Sequence, residues 1–205
     1  MSLPYARTFD EAYLYLDLRP CVCGETELDE RITSSVTVDG QPGERISGHC
    51  SNCGRSRQFT FEMPGGMPEV SFEVRYGKGA EPSRLIDCGE WLGVSELYAT
   101  AGEQHLAGFG DEPDDEDLTR GYYLLTSALS SLDEVMKFLP DGAAEVPEGA
   151  FWSQAGRMVY ESSPERFTRD ALTDERAALR ARLAEFEQRY GESDDTSDDA
   201  ATTRG

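Results

Sequence analysis

The hydrophobic pattern changes period along the chain, and that change divides it. Near the start, Thr8 and Glu11 stand at capping-box spacing, and Phe9, Tyr13 and Leu16 fall on one face of the helix they would open, which Pro20 ends. The β-branched run from Ile32 to Val38 predicts a strand, Asp39-Gly40 a turn, and Arg57 to Glu62 a second strand in which Phe59 and Phe61 alternate with polar residues. Pro64-Gly65-Gly66 marks a loop. Beyond it, Val70, Phe72, Val74 and Tyr76 alternate with Ser71, Glu73 and Arg75, the mark of a half-buried strand.

From there the period becomes helical. A helix is expected over 90–101, with Trp91, Val94, Leu97 and Tyr98 on its apolar side. The clearest helix spans 116–139. Leu118, Tyr122, Leu125, Leu129, Leu132, Met136 and Leu139 step by four and three, and Leu124, Ala128, Val135 and Phe138 widen the stripe into that of a core helix. Pro140-Asp141-Gly142 stops it, a short helix is expected around 151–160, and Ser163-Pro164 offers a further helix start. Leu172, Leu179, Leu183, Phe186 and Tyr190 face one way on a last helix, with Gly191 as its cap. The fold class is therefore α+β, a small N-terminal antiparallel sheet followed by a mainly helical region. The organisation expected is residues 1–64, then 65–191, either separate or continuous with the first part, then a tail of 192–205 too polar to offset its own ordering entropy.

Four of the five cysteines form two close pairs, Cys21-Val22-Cys23-Gly24 and Cys50-Ser51-Asn52-Cys53-Gly54, with 26 residues between them. Structural zinc takes four soft ligands in a tetrahedron, and a tight turn ending in glycine lets two thiolates of one short segment reach one ion. The strand, turn and strand around the pairs supply the hairpins that bring them together. In this arrangement residues 20–62 resemble a zinc ribbon, which implies a structural Zn2+ on Cys21, Cys23, Cys50 and Cys53. The first pair departs from the family's usual Cys-x-x-Cys-Gly by one residue, and His49, beside Cys50, is an alternative ligand. Disulfides are disfavoured because nothing in the sequence indicates secretion.

Charge changes the functional picture. The 205 residues hold 40 acidic and 19 basic side chains, a net −21. Residues 65–150 account for −13 of it, with eighteen acidic against five basic groups. Such a surface repels phosphate backbones, so direct nucleic-acid binding is not expected. No apolar run approaches the roughly 20 residues needed to cross a bilayer, and no secretory signal opens the chain, so a cytoplasmic location and no membrane partner are expected.

Catalytic signals are sparse. No nucleophile elbow, Walker loop, dinucleotide fingerprint or His-Glu-x-x-His occurs, and a four-cysteine zinc site leaves no open position for substrate. Cys88 and His105 are the one conceivable nucleophile pair, and an unpaired cysteine near Leu85, Ile86 and Trp91 is more simply a buried small hydrophobe. The expectation is a non-enzymatic binder of a basic protein, because an anionic surface speeds encounter with a cationic cleft and can occlude a site made for phosphate. In composition the chain resembles immunity proteins and antitoxins that block nucleic-acid-acting toxins. The binding residues expected are Asp111, Glu112, Asp114, Asp115, Glu116 and Asp117, with Glu90, Trp91 and Trp152. Two other readings stay open: a regulatory or assembly adaptor that docks through the ribbon, and an enzyme with a site between ribbon and helices.

Overall fold

The computed structural model describes residues 3–64, 76–110 and 112–191. The strand expected over 70–76 lies outside the described residues except for Tyr76, which is buried, and the tail expected to be disordered lies outside them too.

Thr8 caps helix α1 (Phe9–Asp17) by accepting the Glu11 N–H. The reciprocal half of the expected capping box is displaced by one residue: Glu11 accepts from the Arg7 N–H at 2.6 Å. Of the face expected, only Leu16 is buried. Glu11, Ala12, Leu14 and Leu16 turn inward, whereas Phe9 and Tyr13 are half-buried. Three antiparallel strands follow, β1 (Leu28–Val38), β2 (Gln41–Cys50) and β3 (Ser56–Phe61), in the order β1-β2-β3. Asp39 and Gly40 both have positive φ, +51° and +80°, the two-residue type I′ turn that matches strand twist. Strand β2 has no counterpart in the sequence reading. Its Pro42, Gly43 and Gly48 hide the alternation, yet Ile46 pairs with Thr33 on one side and Phe59 on the other and is fully buried. Tyr15 of α1 sets its ring edge-on to Phe59 and Phe61, which seats the helix on the sheet.

The helical part is built on α2 (Cys88–Ala107) and α3 (Asp115–Met136), with α4 (Gln154–Ser162) and α5 (Arg169–Tyr190) against them. Leu125, Leu132 and Leu139 are buried as the stripe required, along with Leu124, Ala128, Val135 and Phe138, while Leu118, Tyr122, Leu129 and Met136 are half-buried. Helix α2 starts two residues earlier than expected because Asp87 and Glu90 form a complete capping box, and it runs on to Ala107. Leu172, Leu179 and Phe186, each seven residues apart, are the buried seam of α5. Gly191 does cap α5, but at φ −63°, so the left-handed turn that favours glycine is not used.

Buried charge links the two parts. Arg7, ahead of α1, pairs with Glu11 at 2.7 Å and with Glu134 of α3 at 2.8 Å, and Lys137 reaches Glu134 at 2.6 Å and the Gly77 carbonyl at 3.1 Å. Arg19 grips Glu90 of α2 with two nitrogens. Around these ion pairs one apolar cluster extends from Leu14, Leu16, Ile46 and Phe61 to Trp91, Leu92, Leu132 and Val135. Glu134→Ala would take the buried carboxylate shared by the half-buried Arg7 and Lys137, and a loss of roughly 3 kcal/mol is expected, read from urea denaturation. A midpoint unchanged from the parent would contradict the role given to this group.

Candidate metal centre

The two cysteine pairs sit on turns of different length that end alike. In the second, the Gly54 N–H closes on the Cys50 carbonyl at 2.8 Å; in the first, one residue shorter, the Gly24 N–H closes on the Cys21 carbonyl at 2.8 Å. Both glycines have positive φ, +68° and +92°, a conformation that other residues rarely adopt, so the missing residue is absorbed within the turn. Outer bonds lock each loop into its hairpin: Cys21 N–H to Glu25 O at 2.7 Å and Cys50 N–H to Arg55 O at 2.9 Å. The Ser51 N–H donates to the Glu27 carbonyl and ties one turn to the other.

Arg57 of β3 holds the first turn from outside. Its guanidinium donates to the Arg19 carbonyl before the turn and to the Thr26 carbonyl after it, and lies against the Phe59 ring. Sequence reasoning missed this residue, because an arginine in an alternating strand carries no sign that its side chain turns inward.

The four sulfur atoms lie within 4.8 Å of one another, with Cys21 to Cys53 at 3.6 Å and Cys23 to Cys50 at 3.5 Å. A tetrahedral ion with Zn–S bonds of about 2.3 Å requires sulfur separations of about 3.8 Å. The thiols are free, and their spacing is far beyond the roughly 2.05 Å of a disulfide. This is a site that can hold a metal ion. Cys21 and Cys50 are buried and Cys23 and Cys53 exposed, so half of the site faces water.

Comparison of the chain with protein-family models, with curated proteins and with solved structures gives no match.

The electrostatics of the cluster suit a cation. The Glu25 amide donates to Cys23, and with the hydrogen bond from Cys50 this lowers the Cys23 thiol below its usual range. The Arg55 amide does the same for Cys53, but the neighbouring thiols outweigh it and push Cys53 up to about 11. Four adjacent sulfurs cannot all ionise against one another, whereas a dication at their centre removes that repulsion. His49, the alternative ligand, is exposed and adjoins Cys50 on a strand, where neighbouring side chains point to opposite faces.

Two of the expected partner-binding residues are corrected. Trp91 is fully buried, with its ring 4.8 Å from that of Tyr76, and belongs to the core. Glu90 is 5% exposed and committed to Arg19 and to the cap of α2. Both lie on the inner side of an amphipathic helix, where the capping carboxylate is enclosed with the residues it organises. Glu112, Asp114, Asp115 and Glu116 are exposed at the start of α3, where Asp114 is the N-cap; Asp117 is half-buried and lies 3.8 Å from His105, and Asp111 is outside the described residues. Trp152 is 42% exposed and packs its ring 5.9 Å from that of Phe138.

Cys88 and His105 are not brought together. They lie near opposite ends of α2, about 25 Å apart along a helix rising 1.5 Å per residue. Cys88 is fully buried and burial raises its pKa, while the His105 ring contacts the Asp117 carbonyl at 3.0 Å and meets Phe109 edge-on. No described helix is long and apolar enough to cross a membrane.

Proposed function

We propose that Cys21, Cys23, Cys50 and Cys53 hold a structural Zn2+ that staples the N-terminal ribbon, and that the protein acts without catalysis by presenting an acidic surface to a basic protein. The nearest functional type is an immunity protein or antitoxin that faces the phosphate-binding cleft of a nucleic-acid-acting toxin. The observation that carries the reading is the exposed start of α3: Glu112, Asp115 and Glu116 face water, and among the described residues no arginine or lysine neutralises them. Carboxylates in the first turn also suit the helix dipole. Four thiolates on one zinc leave no open coordination position, which supports a structural rather than a Lewis-acid role.

The test is affinity capture from the native cell lysate at low and at moderate salt, repeated with Glu112→Gln, Asp115→Asn and Glu116→Gln combined. A stoichiometric basic partner is expected at low salt, retained less as salt rises and about tenfold less by the neutralised variant. Absence of any partner at either salt, or capture indifferent to both salt and variant, would contradict the reading and direct the search to small-molecule substrates.

A further inference from the structure

One edge of the sheet is covered, and the other is open among the described residues. At β3, residues 4–6 run alongside: Tyr5 and Glu62 form a parallel bridge, the Ala6 N–H donates to the Glu62 carbonyl at 3.0 Å, and the Glu62 N–H to the Pro4 carbonyl at 2.9 Å. At β1, no second strand is present among the described residues. Open edges are ordinarily guarded by lysine, proline or an inward charge. The run Ile32–Val38 has none of these, and the irregularity between Asp29 and Ile32 lies only at its base.

The hairpin decides which backbone groups are open. Val38 faces Gln41 across the two-residue turn, and in such a turn the flanking pair exchanges both hydrogen bonds. Val38, Val36 and Ser34 therefore bond to β2, and Thr37, Ser35 and Thr33 turn their N–H and C=O groups to the open side.

We propose that this edge pairs with the same edge of a second copy of the chain, antiparallel about a two-fold axis at Ser35, to make one continuous six-stranded sheet. In that register Ser35 faces Ser35 and Thr33 faces Thr37 of the second copy, so each open N–H meets an open C=O. Ile32 faces Val38 and Ser34 faces Val36 on one face, and Arg31 faces Asp39 on the other, twice by symmetry. Arg31 and Asp39 are both exposed; Arg31 adjoins the strand irregularity with its guanidinium 4.5 Å from the Tyr13 ring centroid of its own chain, and Asp39 lies in the turn. Moving the axis to Ser34 sets Asp29 against Asp39, and moving it to Val36 sets Arg31 against Gln41, so only the Ser35 register joins opposite charges. A purely basic strand would meet Arg31 with like charge, which is why the edge fits its own copy better than the cationic partner proposed above.

Sedimentation equilibrium of the full zinc-loaded chain, over a range of concentrations at low and moderate salt, tests this. A reversible monomer–dimer equilibrium is expected, tighter at the higher salt because two chains of −21 repel. Ser35→Pro removes an outward donor and leaves the backbone bonds to β2, losing only the Ser35 hydroxyl bond to Glu44 at 2.7 Å, and should raise the dimer dissociation constant about tenfold or more. Asp39→Arg, on an exposed turn residue, should weaken the dimer similarly and serves if the proline variant does not fold, and Arg31→Asp should do the same while also removing the Arg31 contact with Tyr13. Ser35→Cys should form a symmetric disulfide under mild oxidation, since opposed bonded residues have Cα atoms about 5.5 Å apart. A monomer at every concentration, as when another part of the same chain covers β1, would overturn the proposal. So would a dimer that is indifferent to Ser35→Pro and Asp39→Arg.

Discussion

Replacing Cys50 and Cys53 together by alanine is expected to abolish metal binding and to unfold the ribbon. The reason lies in how little else holds that end of the sheet. Strand β1 is exposed along most of its length, and the fully buried apolar residues of the sheet are Ile46 and Phe61, both seated where α1 covers them rather than near the cysteine turns. The turns carry Val22, 78% exposed, and polar residues, so no apolar packing replaces the ion. Binding of structural zinc by small modules is worth apparent free energies of about 10–16 kcal/mol near neutral pH, and where the site does not pre-exist this is folding energy. The double variant should contain no zinc and should lose the sheet contribution in far-ultraviolet circular dichroism, while α3 and α5 keep much of theirs. A double variant that melts like the parent would refute a structural role for the site.

A second large effect is expected from a single methyl group. Gly156 of α4 sits against Asp87, and a Cβ there would lie 1.8 Å from one carboxylate oxygen and 2.4 Å from the other. Asp87 cannot simply move aside. It is fully buried, caps α2 through the Glu90 N–H at 2.9 Å, and accepts the Ser153 N–H at 2.6 Å at the start of α4. The opposing helix is equally close, since a Cβ on Gly89 would lie 2.2 Å from the Gly156 carbonyl oxygen. Gly156→Ala must therefore separate α2 from α4 or leave the Asp87 carboxylate buried without its donors. Either costs roughly 3–5 kcal/mol, equivalent to a melting temperature lower by about 10 °C in a chain of this size. Thermal and urea unfolding check it, and a loss below about 1 kcal/mol would contradict the close contact.

These two sites differ in how far the sequence discloses them. Paired cysteines followed by glycine announce themselves, because few chemistries need two thiols on one turn, and the shortened first pair is absorbed locally by Gly24. Helix α3 was legible for another reason: Leu125, Ala128, Leu132 and Val135 repeat at a helical period and are buried, although the helix ends at Met136, short of the expected Leu139. The contact of Gly89 with Gly156 was not legible, since each glycine gains its meaning from a backbone 67 positions away in sequence. The charged core was hidden as well. Glu11, Glu90 and Glu134 read as surface residues by type, and their burial depends on Arg7, Arg19 and Lys137 arriving from other elements. Trp91 goes the other way: named among the binding residues, it is turned into the core by the apolar side of its own helix, with Val94. Strand β2 was overlooked because pairing on both sides, rather than its own alternation, makes Gln41–Cys50 extended; Gly43 and Gly48 fit there because their neighbours' carbonyl oxygens would lie 2.8 Å from a side chain.

The placement of charge separates two kinds of acidity in one chain. Glu11, Glu90 and Glu134 are enclosed with cations and hold the ribbon to the helices, so they cannot also serve a partner. Glu112, Asp115 and Glu116 at the start of α3 meet water instead. The same division bears on salt. Exposed carboxylates are screened at moderate ionic strength, whereas buried pairs are screened much less, so partner binding should weaken under conditions that leave the fold intact.

The measurement closest to the central claim is native mass spectrometry of the full chain, with accessible thiols counted before and after a strong chelator. The expected result is one Zn2+ bound per chain, with Cys21, Cys23, Cys50 and Cys53 protected from alkylation until the chelator removes the ion. A metal-free mass with those four thiols reactive from the start, or joined as disulfides, would contradict it.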